Sequence, residues 1–411
     1  MKQEVVSVNL SAKAYPFGKE NQKTLDIIKH FLVWAEKENF SSYDWWDIWG
    51  TKVGQLAKKT YFRNKLVGSF LVAPITLLDL SYPGHRKFIV KKRQFPICHA
   101  HLGLGFLTLF ETTNDQSYLE KAKSIVKPLL KMASTNATGL AWGMKHQWMT
   151  IQGLIPPDIP CNTQTAYPYS FFSKLYEITG EQVYFNYLKD IAKHVANDFP
   201  EWRDGDKLSC SYSTIDKRKV INANSYRMFM LLDAGKRFND YSYSEKGIAT
   251  LRYILSKQKE DGSWPYSEDQ NFVDHYHTVF VLKNLIRSKE IIGEKLPELE
   301  NAIKKGMDYY LKNLFDSKGY PKPFSIQPRL TIFKYDCYDL AEAIGFFADQ
   351  DIDQKKLLNL IEFAGSGFQT KDGWFKFRIY KKINLKGIPY IRYANSAMFY
   401  GLTKALKSIN N

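Results

Sequence analysis

Two kinds of apolar pattern alternate along this chain. Thr24 to Lys37, Tyr118 to Met132, Gln182 to Asn197, Ser244 to Lys257, Leu296 to Asn313 and Gln354 to Phe363 carry apolar residues three and four apart in a charged background. That is the period of a helix with one dry face. Between them lie runs of about four turns that are rich in Leu, Phe, Met and Ala nearly all round. Each run opens on a polar knot: Cys98-His99-Ala-His101, Asn162-Thr-Gln164, Asn222-Ala-Asn224-Ser-Tyr226-Arg227, Asp274-His275-Tyr276-His277, Asp336-Cys337-Tyr-Asp339 and Tyr393-Ala-Asn395. The unit is a hairpin of one wet and one dry helix.

Turns repeat with the hairpins. Gly139 with Trp142, Asp204-Gly205, Asp261-Gly262-Ser-Trp264, Asp316 with Gly319-Tyr320, and Asp372-Gly373-Trp374 combine an Asp or Asn, a Gly and in most cases an aromatic; the last four stand about 55 residues apart. Tyr43-Asp44-Trp45-Trp46-Asp47, before a weaker apolar run, resembles an additional, earlier member. Six repeats and a possible seventh result. Stacked hairpins with one dry helix close most economically into a double ring, dry helices inside. The expectation is an all-α toroid of (α/α)6 to (α/α)7 type in a single domain, residues 1–411, with residues 1–60 as an optional extra hairpin. In such a ring every knot falls at the start of an inner helix, so all the knots and turns share one mouth.

The length of 411 residues and 44% hydrophobic content suffice for one large ring. Residues 1–22 lack the apolar core of a signal peptide and no run reaches the length of a membrane span, so a cytoplasmic location is expected. Cys98, Cys161, Cys210 and Cys337 show no close pairing and read as small apolar residues. The formal charge is +16, with blocks at Lys87 to Arg93, at Lys217 to Lys219 and at Lys381-Lys382. A basic mouth would attract an anionic oligosaccharide or a lipid-linked glycan presented at a membrane surface. No recognised binding motif accompanies the charge, so nucleic acid is not expected as a partner.

The string Gln258-Lys-Glu-Asp261-Gly262-Ser-Trp264, after Tyr253-Ile254, resembles the repeat signature of terpene cyclase and prenyltransferase-type α/α barrels. Similar turns occur in six-hairpin glycosidase-like proteins, in the helical domains of glucuronyl epimerases and in proteins encoded among bacterial surface-polysaccharide genes. The resemblance spans about residues 100 to 390 and implies the toroid rather than a reaction, because such folds host many chemistries.

Chemistry narrows the choice. Asp349-Gln-Asp351-Ile-Asp353 falls between helices, where it caps the next one, so the Asp-rich acid of a terpene cyclase is missing. Asp336-Cys337 is followed by no His, and Cys98-His99 by Ala100, so neither a metal nor a cofactor is expected. A carbohydrate reading keeps more of the residues. A glycosidase needs two carboxyls facing one another, for which Asp274, Asp336 and Asp339 stand available, each equally readable as a helix cap. An epimerase or lyase acting on uronic acids needs a base, a proton relay and groups to neutralise a carboxylate. His277, Tyr276, His99 and Tyr226, with Asp336 and Asp339, are the catalytic candidates. His101, Gln164, Asn224, Arg227, Arg329, Arg392 and Asn395, with Trp142, Trp264, Tyr266 and Trp374 as rings for sugar faces, are the binding candidates. His275 and His277 cannot both face the axis. The rival readings are a non-catalytic glycan-binding or scaffold protein and a terpenoid or prenyl-chain enzyme, which would need a deep apolar cavity.

Overall fold

A computed structural model describes residues 18–410 except 294, 329–330, 382–384 and 386. Arg329 and residues 1–17 of the stretch read for a signal peptide lie outside the described residues. The helices are α1 (Lys19–Lys37), α2 (Lys52–Arg63), α3 (Lys65–Ser81), α4 (Pro96–Thr113), α5 (Gln116–Lys131), α6 (Asn162–Thr179), α7 (Gln182–Asn197), α8 (Ile221–Phe238), α9 (Tyr241–Ser256), α10 (His275–Ile292), α11 (Pro297–Asn313), α12 (Cys337–Gln350), α13 (Gln354–Phe363) and α14 (Ser396–Asn410). The segments read as amphipathic map onto α1, α5, α7, α9, α11 and α13.

The knot-led helices α4, α6, α8, α10, α12 and α14 each pack on the next, and α14 packs on α4, so the ring closes. Around them, α5, α7, α9, α11 and α13 each lie on the inner helix before them, while α1 lies on α14. The first outer helix thus serves the last inner one, and the architecture is an (α/α)6 toroid. Its core is built from large buried side chains such as Phe31, Phe106, Phe171, Phe347 and Phe368, each worth about 1.5–3 kcal/mol on transfer from water.

Closure is visible in single hydrogen bonds. Gln258 Nε2 donates to Gly262 O at 3.0 Å and to Ala302 O of the next outer helix at 2.8 Å. Gln369 Nε2 makes the same pair of bonds, to Gly373 O at 3.1 Å and to Ile27 O of α1 at 2.9 Å. Both turn glycines adopt positive φ, +90° and +98°. A Cβ on Gly262 would lie 2.3 Å from Lys305 O, and one on Gly373 2.2 Å from His30 O. Only Gly allows the turn to press on the neighbouring helix backbone. The repeat is therefore a contact between consecutive hairpins, and its last copy joins the ends of the ring.

Two short ladders tie neighbouring loops together at the mouth. β5 (Val273–Asp274) pairs with β6 (Phe324–Ile326), and β7 (Phe333–Asp336) with β8 (Arg378–Tyr380), both antiparallel. The second ladder sets Asp336 opposite Arg378. Hairpins β1 (Trp148–Thr150) with β2 (Gly153–Ile155) and β3 (Glu201–Asp204) with β4 (Lys207–Cys210) fill two other loops. At the far end, ion pairs link inner helices: Lys174 to Glu111 at 2.8 Å, Lys407 to Glu111 at 2.7 Å and Arg237 to Glu177 at 2.9 Å.

The possible seventh repeat is not a ring member. Asp44 of that knot is buried and holds Arg392 Nε and Nη2 at 2.6 and 2.7 Å. The apolar run after it forms α2 and α3, which pack on each other and, through α2, on β1 and the short helix Ile48–Gly50. The four cysteines are buried and unpaired.

Candidate active site

The knots do converge on one mouth, but most of their polar side chains serve the fold. Asn224 Oδ1 accepts from Cys210 N at 2.8 Å, and its amide donates to Cys210 O and Val220 O. Asn395 repeats this with Phe375 N at 2.6 Å, Phe375 O and Tyr390 O. In both near-copies the Asn clamps the turn strand to the start of the inner helix. Trp142 and Trp264 are buried and donate from Nε1 to Leu129 O and Ile254 O of the preceding outer helices. Arg227 is fully buried against Val195 O and the Glu201 carboxylate. His99 bonds back to Phe95 O, and burial holds its pKa down at about 4. Gln164 is buried with Oε1 unpartnered, and Trp374 is half-buried. The structure therefore sets Asn224, Asn395, Trp142, Arg227, Arg392 and His99 in the walls rather than at the opening, while buried Trp264 shows one side to the crevice that His277 lines.

What the fold gathers at the opening is the start of α10 and α12. Asp274 caps α10 through Oδ1, which accepts from His277 N, and its Oδ2 meets His277 Nδ1 at 2.7 Å. The carboxylate is 3% exposed and the imidazole 20%. A carboxylate on Nδ1 fixes the tautomer with the proton there and turns the Nε2 lone pair outward. The ring lies 4.7 Å from that of Tyr266 and 4.2 Å from that of Tyr276. With Asn222, Phe272 and Thr278 it lines a crevice the size of a water molecule. Asn222 Oδ1 is buried beside it with no hydrogen-bond partner. His275 points the other way, into the wall, between Tyr310 Oη at 2.9 Å and Leu314 O at 3.1 Å. Helical spacing excluded a shared direction for the two histidines, and His277 is the one at the mouth.

Asp336 and Asp339 add two more carboxyls. Asp336 caps α12 through Tyr338 N at 2.9 Å and pairs with Arg378 Nε at 2.7 Å. The Arg378 guanidinium is packed over the rings of Phe333, Phe377 and Trp45. Asp339 is buried, and its Oδ1 has no partner. Burial first, then the charges of Asp336 and Asp274, push its pKa well above the ordinary range; Arg378 and the Tyr276 amide oppose this and lose. Burial raises Asp336 as well, but its direct ion pair makes it the ionised member, so Asp339 holds the proton. Burial also keeps the Tyr276 phenol neutral, its pKa far up.

Below the mouth the axis is polar, a feature the apolar reading of the inner helices overlooked. Tyr226 donates to the Tyr167 hydroxyl at 3.0 Å, and Lys283 Nζ lies 2.9 Å from both Tyr167 Oη and Glu342 Oε2. His101 sits edge-on to Tyr167, ring centroids 4.3 Å apart, with Nδ1 on Ser396 Oγ at 3.1 Å. Desolvation lowers Lys283 to about 8 despite Glu342. The signal was available: Tyr276, Phe280, Lys283 and Arg287, like Tyr338, Glu342 and Asp349, recur at intervals of one helix face from the knot inward. Arg378 carried no such signal, because it reaches Asp336 only through strand register.

Among known proteins, no family model and no curated protein matches the chain. Solved structures do. A cellobiose 2-epimerase from Bacillus thermoamylovorans superposes with TM-score 0.59 at 11% identity, over 76% of this chain and 87% of its own. An unsaturated glucuronyl hydrolase specific for heparin gives TM-score 0.55 at 12% identity over 76% and 85%. A polysaccharide lyase gives 0.51 at 10% over 88% and 98%. By fold the chain is an α/α toroid, the architecture it shares with these structures.

Proposed function

We propose that this protein is a carbohydrate-active enzyme that moves a proton on a uronic acid residue of an anionic glycan, as an epimerase or lyase. The observation that carries the reading is the His277–Asp274 dyad, its carboxylate buried and its imidazole partly exposed among tyrosines and other rings. Aromatic faces suit pyranose rings, and an imidazole oriented by a buried carboxylate is a competent general base. Nε2 would take the proton from the carbon beside the sugar carboxylate. The neutral phenol of Tyr276 supplies one in return for epimerisation, or to the departing oxygen for elimination. Neighbours that are an epimerase, a lyase and a hydrolase by name support carbohydrate chemistry as a class.

Hydrolysis fits less well. Asp274 is committed to His277, Asp336 to Arg378, and Asp339 is shielded from solvent, whereas a glycosidase needs two carboxyls that both reach the bond. A prenyl-chain enzyme fits worse, since the axis holds Lys283, Glu342 and Tyr167 instead of an apolar pit. The net charge of +16 favours an acidic substrate. The setting we infer is assembly or modification of a bacterial surface polysaccharide on the cytoplasmic side of the membrane, with a lipid-linked glycan as the partner.

The test is incubation with uronate-containing and neutral oligosaccharides in heavy water. Deuterium uptake without cleavage denotes epimerisation, an unsaturated product denotes a lyase, and both should vanish in His277→Ala. Simple hydrolysis that survives in His277→Ala but not in Asp339→Asn would replace this reading, and inertness toward every glycan would leave a binding protein.

A further inference from the structure

The α2–α3 hairpin has no place in the ring and buries little of its own apolar surface. Leu66 and Phe70 are each 73% exposed, and Leu56, Leu77 and Phe88 also face outward. Gly68 lies against the Tyr61 backbone, where a Cβ would come within 2.1 Å of Tyr61 Cα, so the two helices are pressed into one unit. Between Lys65 and Asp79, α3 carries no charge, and Asp79 itself is buried against Arg86 Nη2 at 2.6 Å. A patch of this kind on a protein surface marks a contact with something apolar.

Its flanks say what that is. From Ile48 to Gln94 the chain holds ten Lys and Arg against the single, buried Asp79, so more than half of the net charge falls in this short segment. Lys52, Lys59, Arg63, Lys65, Lys87 and Lys91 are all exposed. Long apolar side chains beside such cations match the boundary of an anionic bilayer, with apolar groups among the acyl chains and amines at the headgroups. A protein partner would have to be both greasy and strongly acidic. At 17 residues α3 is short for a span, and no described helix is long and apolar enough to cross a membrane. The hairpin is therefore suited to lie in the interface.

We infer that α2 and α3 form a membrane-docking hairpin that seats the protein on an anionic lipid surface beside its catalytic mouth. The proximity follows from packing. α2 rests on the helix Ile48–Gly50 and on β1, and Trp46, which leads into that helix, donates from Nε1 to Tyr393 Oη at the start of the last inner helix, 2.6 Å away. A headgroup-linked glycan would thus be presented at the opening. This deepens the membrane side of the reading above and borrows nothing from its chemistry.

The experiment is co-sedimentation of the full chain with vesicles of phosphatidylcholine alone or with phosphatidylglycerol, at low and high salt and without any glycan. Binding should require phosphatidylglycerol, weaken with salt, and fall by about tenfold or more in Leu66→Ser/Phe70→Ser/Leu77→Ser. Lys59→Glu/Lys65→Glu should lose the preference for the anionic lipid. These side chains are exposed, so an unchanged circular dichroism spectrum and melting curve verify that both variants fold. Wild type that ignores vesicles, or variants that bind as well as wild type, would overturn the inference. So would a lipid-independent dimer in the ultracentrifuge that the apolar variant abolishes, because the face would then belong to a second copy. Since no glycan is present, vesicle binding and deuterium uptake can fail separately.

Discussion

Replacing Asp339 by Asn should stabilise the protein, and by an amount that grows with pH. In the folded state the Asp339 carboxyl is buried beside two other carboxyls, with one oxygen unpartnered, and keeps its proton well above the ordinary value of 3.8. In the unfolded chain it ionises normally. Between those two pKa values the native state binds the extra proton, so native stability declines as pH rises, by up to about 1.4 kcal/mol per unit for as long as the proton is retained. Asn is nearly isosteric, never ionises and removes that decline. Asn should therefore gain on wild type by up to about 1.4 kcal/mol for each pH unit above the unfolded value over which the proton is retained, and by almost nothing below it. For a chain this long each 1 kcal/mol amounts to only about 1 °C in Tm. Urea melts followed by circular dichroism from pH 4 to 8.5 measure it better than Tm does. A loss of stability at pH 7.5, or a gain that does not vary with pH, would refute the assignment of the proton to Asp339.

Asp274→Asn should lower kcat by about 10²- to 10⁴-fold with little change in KM, because His277 loses its orienting carboxylate and not its contact with substrate; steady-state kinetics against wild type decide it. Asn224→Ala and Asn395→Ala should each cost on the order of 2–4 kcal/mol in urea melts, since each removes three buried hydrogen bonds of the same design, and sharply unequal losses would deny the equivalence. Lys283, lowered to about 8 from 10.5, is protonated in both states below pH 8 and only in the unfolded state between the two values. Native stability should therefore rise relative to Lys283→Met across pH 8 to 10.5, by on the order of 3 kcal/mol; a flat difference would show that the amine is solvated.

Legibility of the site differed residue by residue. His277 and Tyr276 could be placed at the mouth because a knot at a helix start has a fixed position in a ring and helical spacing separates His277 from His275. Asn224, Asn395, Trp142 and Trp264 are equally prominent in the sequence, yet their prominence records the contact that each hairpin repeats. A repeated residue is under the same demand in every copy, and what every copy needs is packing, whereas a reaction needs its groups once. Asp274, Asp336 and Asp339 do cap or adjoin helix starts, as their positions imply. Their mutual approach, which makes Asp339 the protonated one, could not be read from positions about sixty residues apart.

Periodicity alone determined the all-helical composition, the two kinds of helix and the shared end on which the knots lie, because these follow from local spacing and from the need of a dry face to be covered. Ring size was decided by tertiary structure: six inner helices close because α1 packs on α14 and Gly373 meets His30, contacts between opposite ends of the chain. Tertiary structure also decided that the apolar run after Asp47 leaves the ring as α2 and α3, and that Arg378 stands opposite Asp336. Charge state and exposure depend on what lies across a cavity or a strand pair, and neither is a property of any local stretch of chain.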